Sequence, residues 1–428
     1  MNCRRHVILL LVMLLGSVAA SGHQAAGRGR TGEADRARLD ELRTRGFEAL
    51  YNLDYEGARG QFKEIVRLFP DHPAGPQFLA AALWAQTLNE SRRLQASLYN
   101  SESFYAKDED KVAQQTVDEF RNYTRQARLL AEGRLKRDPH DVEAIYFLGA
   151  TEGLKAAFSV AVQRSFIAGL RDGSRSVDRH RQVIKLDPNF HDAELTIGLY
   201  DYVVGGLPLP VKLLASITGT RGSKKRGLET LGRVAREGHW ARDDAKSLLI
   251  VLYKREKRFA DALALSRELG TKYPRNYLFK LEAADALVSQ AAIERQANRT
   301  AAAQSAEREA FGIFDSLLRG KSTRDVAARS LDLIHFRYGE ALMAAGQPER
   351  AAKEFLAASG VKSAEQGLVT MSHLRAAQAF DLAGRRNEAV AQYRIVLGRP
   401  NVYDSQEEAR NGLREPYKLK ASEQHTSE

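Results

Sequence analysis

Small, apolar and polar residues follow a helical spacing along most of the chain, and one set of spacings recurs. Residues 42 to 70 carry it first, as Leu42, Gly46, Ala58, Phe62 and Pro70. Apolar positions three and four residues apart form one face of an amphipathic helix. Proline ends a helix because it lacks a backbone donor. The segment therefore predicts a pair of helices closed by a proline.

The same order returns, whole or in part, at five other places. These are Pro139 with Leu148 and Gly149, Pro188 with Ile197 and Gly198, Ala262 with Pro274, Gly339 with Ala351 and Phe355, and Ala377 with Ala389 and Tyr393. Two helices approach closely only where glycine or alanine lies at the crossing, and a large residue fills the groove beside it. This recurrence favours repeated helix pairs over the alternative of an unrelated helical bundle.

The pattern resembles the tetratricopeptide repeat, whose unit has a small residue in its first helix, an alanine and an aromatic residue in its second, and a closing proline. The resemblance implies an all-α fold, a tetratricopeptide-repeat helical solenoid. In such a solenoid, antiparallel helix pairs stack into a right-handed superhelix with a concave inner surface.

Two regions depart from the regular repeat. The interval from Val142 to Pro188 is longer than the equivalent interval in the first pair, and its extra residues fall near 154–173, where they are expected to lengthen both helices. Before Pro139, the pattern predicts a further pair of helices over residues 77–98 and 109–136.

Residues 205–227 have no place in a standard repeat. Pro208 and Pro210 break the chain, a short apolar helix is expected next, and a basic loop leads to a helix start at Gly227 and Leu228. The stretch 190–255 resembles the inclusion-body-clearance family of tetratricopeptide-like proteins. Because those proteins lack an export signal, the resemblance implies only a helical repeat architecture.

The N-terminus has the order of a secretory signal peptide. Arg4 and Arg5 precede an apolar run, and small residues up to Ala20 follow it. Cleavage after Ala20 is expected; an uncleaved membrane anchor is the alternative, although the run is shorter than the ~20 residues that span a bilayer. We therefore predict an exported protein, periplasmic or secreted, that has no membrane span after cleavage.

Composition narrows the class of protein. The only cysteine is Cys3, within the expected signal, so a mature chain has no disulfide, cysteine-bound metal or lipid-anchoring cysteine. The net charge is +11. For an exported protein, this charge favours an acidic protein or another anionic surface over nucleic acid. Charges scattered over solvated helix faces are nevertheless the favoured explanation.

The segment boundaries follow from these observations. They are a signal peptide over 1–20, a disordered linker over 21–34, an N-terminal helical region over 35–138, a central region with the insertion over 139–255, a C-terminal repeat region over 256–415, and a disordered tail over 416–428.

Motifs of catalysis are missing from the sequence. The ten histidines are spread singly, with no H-E-x-x-H, and there is no G-x-S-x-G elbow or dinucleotide-binding glycine motif. We therefore expect a protein that is not an enzyme and has no cofactor and no metal site.

The expected partner is a protein or peptide bound in the concave groove. Arg337 and Arg375 stand two residues before Gly339 and Ala377, at equivalent positions of two repeats, where they would clamp a carboxylate or an acidic peptide. Solvated arginine side chains are the alternative. Neither is the asparagine that repeats binding chaperone tails carry there, which disfavours a co-chaperone role. Further groove candidates are Glu143, Tyr146, Thr196, Tyr200 and Glu340, although both tyrosines fit packing roles as well.

The leading hypothesis is thus an exported, non-enzymatic scaffold. The alternative is an enzyme or small-molecule carrier whose pocket is formed by the insertion near 154–173 and the segment 205–227. A deep apolar pocket with converging polar groups would favour that alternative.

Overall fold

The computed structural model describes residues 30–91, 112–163, 165–207, 222–319 and 330–419. Within these ranges the regular structure is helical throughout, with 17 α-helices and one short 3-10 helix. The all-α prediction is confirmed. The expected signal peptide, the short apolar helix after Pro210 and residues 420–428 lie outside the described residues.

The chain divides into two compact units, one ending at Leu252 and one beginning at Tyr253. Unit 1 contains eight helices and most of a ninth. These are α1 (Arg30–Tyr51), α2 (Tyr55–Leu68), α3 (Ala74–Glu90), α4 (Gln114–Arg137), α5 (Val142–Ala161), α6 (Phe166–Leu186), α7 (Glu194–Gly205), α8 (Lys224–Glu237) and α9 (Arg242–Arg255).

Unit 2 begins with the end of α9 and continues as helix pairs whose described connections are short; residues 320–329 lie outside the described ranges. Its helices are α10 (Phe259–Lys272), α11 (Tyr277–Gln296), α12 (Thr300–Arg319), α13 (Leu331–Ala344), α14 (Pro348–Ser359), α15 (Gln366–Leu382), α16 (Arg386–Leu397) and α17 (Ser405–Arg414). Connections this short make consecutive helices antiparallel neighbours.

The helices of a pair meet where the sequence predicted small residues. A Cβ atom added at Gly46 would collide with the ring of Phe62, and one at Gly339 would lie 2.7 Å from Cδ1 of Phe355. Both aromatic rings are fully buried. The small residue and the large one are therefore one packing device, repeated in both units.

The insertion lengthens both helices of its pair, as predicted. Helices α5 and α6 have 20 and 21 residues, whereas α13 and α14, the pair that carries Gly339 and Phe355, have 14 and 12. Helix α5 begins after the loop around Pro139, where the side chain of Asp141 accepts a hydrogen bond from the backbone N–H of Ala144. This N-cap satisfies a donor that the first helical turn leaves free.

Three predictions differ from the structure in their bounds. Helix α8 begins at Lys224, before the predicted start at Gly227. Helix α1 begins at Arg30, so residues 30–34 are helical and the prediction of a disordered linker is wrong for them. Glu33 lies in the first turn, where its charge complements the helix dipole. The predicted helices 77–98 and 109–136 are observed as α3 and α4, with residues 92–111 outside the described ranges.

Unit 1 also brings its two ends together. The guanidinium of Arg43 in α1 lies 3.4 Å from the ring centroid of Trp240. The hydroxyl of Tyr51 donates a hydrogen bond to Asp244 in α9. Contacts between residues so far apart in sequence are unusual in a repeat array, where each pair normally meets only its neighbours.

Candidate binding cleft

The structure separates the seven candidate residues into three places. Glu143 lines an open cleft in unit 1. Tyr146, Thr196 and Tyr200 lie farther along the same unit, the first two around a buried histidine. Arg337, Glu340 and Arg375 belong to unit 2. Four of the candidates thus belong to unit 1 and three to unit 2.

The cleft in unit 1 has a volume of about 620 Å³. Three elements form its walls: the first turns of α1, the loop between α2 and α3, and the loop between α4 and α5. Its lining consists of Gly32, Asp35, Arg36, Leu39, Asp40, Phe69, Pro70, Asp71, His72, Arg134, Arg137, Asp138, Asp141 and Glu143.

Glu143 is held in a network on one wall of the cleft. Its carboxylate lies 2.7 Å from Nη2 of Arg134 and 3.3 Å from Nε2 of His72. Arg134 also donates two hydrogen bonds to Asp141, at 2.8 and 3.0 Å. Burial alone would raise the pKa of Glu143, but His72 and Arg134 outweigh it and lower this pKa to about 2. The wall is therefore charged and rigid at neutral pH.

Negative charge predominates in the cleft although the chain as a whole is basic. Six carboxylates line it, against three arginines and one histidine. Asp35 and Asp71 are exposed at its edge and are paired with no described residue. Carboxylates in this arrangement attract cationic groups, and a concave surface strengthens their field.

One turn beyond the lining of α1 lies a fully buried arginine. Leu39 and Asp40 face the cleft, and Arg43 follows on the same helix face. Arg43 is only 3% exposed, and its guanidinium lies 5.7 Å from the ring centroid of Phe78, besides its contact with Trp240. Burial lowers the pKa of Arg43 to about 9, with Asp192 opposing this shift most strongly.

Tyr146 and Thr196 meet at His180, which the sequence did not single out. Nε2 of His180 lies 3.2 Å from the backbone carbonyl of Tyr146, and its Nδ1 is hydrogen-bonded to the hydroxyl of Thr196. All three residues are buried. Burial lowers the pKa of His180 to about 4 and raises that of Tyr146. These groups form part of the core, which accounts for Tyr146 and Thr196.

Tyr200 lies beside a small cavity between the long helices and α7. The cavity has a volume of about 30 Å³, and Gly153, Gly169, Val177 and Leu199 are among its lining residues. This volume holds about one water molecule. The described part of the predicted alternative pocket is thus far smaller than a metabolite, and residues 208–221 lie outside the described ranges.

Arg337 belongs to a ladder of alternating charges in unit 2. The ladder runs over the first helices of successive pairs and consists of Lys254, Glu282, Asp285, Arg337, Glu340 and Arg375. Nζ of Lys254 lies 2.6 Å from Glu282, and Nη1 of Arg337 lies 2.7 Å from Glu340.

The buried members of this ladder neutralise each other. Arg337 is 8% exposed and is also paired with Asp285. Burial would lower the pKa of Arg337, but Asp285 and Glu340 outweigh it and the pKa rises. Arg375 is more exposed, 3.8 Å from Glu340, and donates a hydrogen bond to Gln378. The guanidinium predicted to clamp a partner's carboxylate is occupied by carboxylates of the chain itself.

Comparison with known proteins concerns the fold alone. Human IFIT1, solved as a dimer with PPP-AAAA, is similar with a TM-score of 0.45 at 13% identity, over 96% of this chain and 89% of that chain. Yeast Tom70 gives 0.32 at 12% identity, over 90% and 92%. A tetratricopeptide repeat protein from Parabacteroides merdae gives 0.31 at 12% identity, over 78% and 99%. No family model and no curated protein matches the chain.

The fold is a tetratricopeptide-like helical solenoid. The helix pairs and their glycine–aromatic crossings carry this assignment. The finer resemblance to the inclusion-body-clearance family stays a prediction.

Among the described residues, none of the helices contains an apolar stretch of the length needed to span a bilayer. In the same residues, no three histidine, cysteine, aspartate or glutamate side chains are grouped so that they could hold a metal ion.

The sequence patterns did not identify Arg43, His72 or Trp240 as candidate functional residues. A signal for Arg43 was present, because it interrupts the apolar stripe formed by Leu39, Leu42, Gly46 and Phe47. A charged residue in such a stripe must be buried or must bend the helix away from the core. Trp240 had no such signal, since its partner lies in a helix far away in sequence.

Proposed function

We propose that the protein is an exported, non-enzymatic scaffold that binds a peptide segment of a partner protein in the cleft of unit 1. The observation that carries the proposal is a preformed concave surface that combines fixed charges, in the network of Glu143, with the exposed carboxylates of Asp35 and Asp71, which are paired with no described residue. Loops positioned by rigid helices are where binding residues concentrate.

The volume and polarity of the cleft favour a peptide. At about 620 Å³, the cleft lies in the range of ~300–1,000 Å³ typical of ligand sites. Ten of its fourteen lining residues have ionisable side chains, which can pair with the charged side chains of a peptide. Its excess of carboxylates opposes the phosphates of nucleic acid, which basic side chains must neutralise.

The ladder in unit 2 offers less for recognition. Its buried arginine and lysine are already paired, so a partner's carboxylate would have to displace Asp285 or Glu340. Breaking a buried ion pair costs several kcal/mol, about 3–5. Binding through the unit 1 cleft carries no such cost.

A selection of random peptides displayed on phage against the chain lacking residues 1–20 tests this proposal. Enriched peptides should carry lysine or arginine. They should bind the charge-reversal variant Asp35→Lys/Asp71→Lys about tenfold or more weakly, because each reversal replaces an attraction by a repulsion.

The matched control is Asp118→Lys/Asp178→Lys, which makes the same charge change in unit 1 on side chains that are 61% and 71% exposed and lie outside the cleft. It should bind the selected peptides as well as the unchanged chain does. Equal losses in both variants, or no enriched peptides, would contradict the proposal. Preferential binding of an RNA oligonucleotide would also contradict it.

Export is tested separately. The apolar run before Ala20 supports it. Mass spectrometry of the N-terminal peptide, after expression of the full chain in its source cells and cell fractionation, should find Ser21 as the first residue of the exported protein. An intact Met1 in the membrane fraction would indicate the uncleaved anchor instead.

A further inference from the structure

Arg43 and Trp240 present hydrogen-bond donors that nothing in the described structure accepts. Nε and Nη2 of Arg43 and Nε1 of Trp240 are buried, and no acceptor from residues 30–91, 112–163, 165–207, 222–319 or 330–419 bonds to them. Because the guanidinium lies 3.4 Å from the indole ring centroid, these three donors are close neighbours. Buried donors without acceptors are rare in native proteins and require an explanation.

The contacts of Arg43 do not compensate its charge. Aromatic faces surround it, and the carboxylates of Asp192, Asp40 and Asp244 act on it only from beyond hydrogen-bonding distance. Oδ1 of Asp192 instead accepts the backbone N–H groups of Trp240 and Ala241, and Asp244 accepts from Tyr51. A buried guanidinium in such surroundings destabilises the free protein.

The position of Arg43 connects it with the cleft. Arg36, Leu39 and Asp40 line the cleft, and Arg43 extends the same helix face inwards by one turn. On the opposite wall, Glu143 lines the cleft and Tyr146 follows one turn inwards, near enough to Arg43 to influence its charge. Trp240 is only partly buried, and the neighbouring His239 is exposed. The donors thus lie one turn inwards from the lining of the cleft, behind Asp40 and Glu143, and neither Arg43 nor Trp240 is itself a lining residue.

We infer that Arg43 and Trp240 bind a carboxylate of the partner peptide at the inner end of the cleft. This inference rests on the proposed function. A planar guanidinium matches a carboxylate, which accepts two parallel hydrogen bonds from it, and the indole N–H supplies a third donor. The acceptor that the three donors lack would then come from the ligand.

A carboxylate suits this site better than a phosphate. Three carboxylates of the chain act on Arg43 from longer range, and their field penalises a dianion more than a monoanion. At the edge of the cleft, Asp35 and Asp71 are placed to receive cationic groups. The expected ligand is therefore a peptide with one acidic group, either a side chain or the C-terminus, close to lysine or arginine.

Four small probes test the site on the full mature chain. N-acetylglycine represents a peptide C-terminus, propionate represents a glutamate side chain, N-acetylglycinamide is the uncharged control, and inorganic phosphate represents the competing anion. Unfolding is followed by far-UV circular dichroism at constant ionic strength. At least one of the two carboxylates should raise the Tm above the value measured with N-acetylglycinamide, because a ligand that binds the native state stabilises that state.

The variant Arg43→Met separates binding from packing. It keeps an apolar stem and removes the buried charge, so the Tm without ligand should rise by about 2 °C or more while the response to carboxylates is lost. Trp240→Phe keeps the ring and removes one donor, and it should weaken that response without abolishing it. Were Arg43 purely structural, Arg43→Met would lower the Tm in every solution.

The outcomes show whether the carboxylate is a C-terminus or a side chain, and they distinguish failure of this inference from failure of the proposed function. A response to N-acetylglycine alone identifies a C-terminus, and a response to propionate alone identifies a side chain. A stronger response to phosphate that depends on Arg43, or no response to either carboxylate, overturns the inference. If displayed peptides bind in a manner dependent on Asp35 and Asp71 but independent of Arg43, the inference fails and the proposed function stands. If carboxylates bind through Arg43 and no peptide is selected, the proposed function fails instead.

Discussion

Two arginines, one in each unit, are almost equally buried and differ in everything around them. Arg337 is 8% exposed and contacts two carboxylates, whereas Arg43 is 3% exposed and contacts aromatic rings. The surroundings raise the pKa of Arg337 and lower that of Arg43. Burial alone therefore does not distinguish a structural charge from a binding one. The presence or absence of an internal partner does.

The largest effect is expected from a substitution that breaks the ladder of unit 2. Arg337→Met leaves Asp285 and Glu340 without their shared guanidinium, so it should reduce the free energy of unfolding of unit 2 by about 3–5 kcal/mol. Urea unfolding monitored by hydrogen exchange of peptides from residues 253–419 measures this loss. The opposite sign is expected for Arg43→Met.

Arg375→Met is the matched control. Arg375 is the more exposed arginine of the same ladder, and its carboxylate partner is 3.8 Å away, so its loss should cost less than about 1 kcal/mol. Equal losses for the two variants would show that burial of the pair does not govern its contribution.

The free energy of unfolding of unit 1 should fall in acid because of its buried histidine, His180. The pKa of His180 is lowered to about 4 in the folded state, against about 6.5 in an unfolded chain. The unfolded chain therefore binds the proton first, and the stability contributed by neutral His180 is complete above about pH 6.5. About 3 kcal/mol of it is lost as the pH falls to about 4.

Tryptophan fluorescence during urea unfolding at several pH values can follow this loss, because both tryptophans, Trp84 and Trp240, belong to unit 1. His180→Gln lacks the titrating group and should flatten the dependence on pH between about 6.5 and 4. An unchanged slope in this variant would assign the effect to other groups.

The smallest expected effect tests the packing device that both units share. Gly46→Ala forces a methyl group into the ring of Phe62 and should destabilise unit 1 by about 1–3 kcal/mol. Gly60→Ala in α2 meets no atom within 4 Å and should instead stabilise it by about 0.5–1 kcal/mol. Urea unfolding followed by tryptophan fluorescence compares the two. Similar destabilisation by both would mean that the crossing at Gly46 is loose.

The helix pairs were predictable because their determinants are local. A glycine or alanine, an aromatic residue and a proline at fixed distances recur in one stretch of chain, and the packing of Gly339 on Phe355 follows from that order. The lengthening of α5 and α6 followed from the spacing of prolines in the same manner. Such features need no knowledge of distant residues.

The candidate site was predicted less well because its residues come from distant segments. Equivalent positions in neighbouring repeats led to Arg337, but the sequence did not show that Asp285, one pair earlier, neutralises it. Glu143 was identified, whereas His72 beside it was not. The environment of Arg43 depends on Trp240, at the other end of unit 1.

The hydrogen bond from Tyr51 to Asp244 spans 193 residues. An ordinary repeat array folds from any nucleus outwards, tolerates truncation and loses its end repeats first. Because of this bond, α1 completes its contacts only after α9 has formed. The loss of chain entropy on closing so long a loop opposes formation of the contact. Unit 1 should therefore fold late and as a whole, and a ribosome-bound chain ending before α9 would lack Asp244, the acceptor for the hydroxyl of Tyr51.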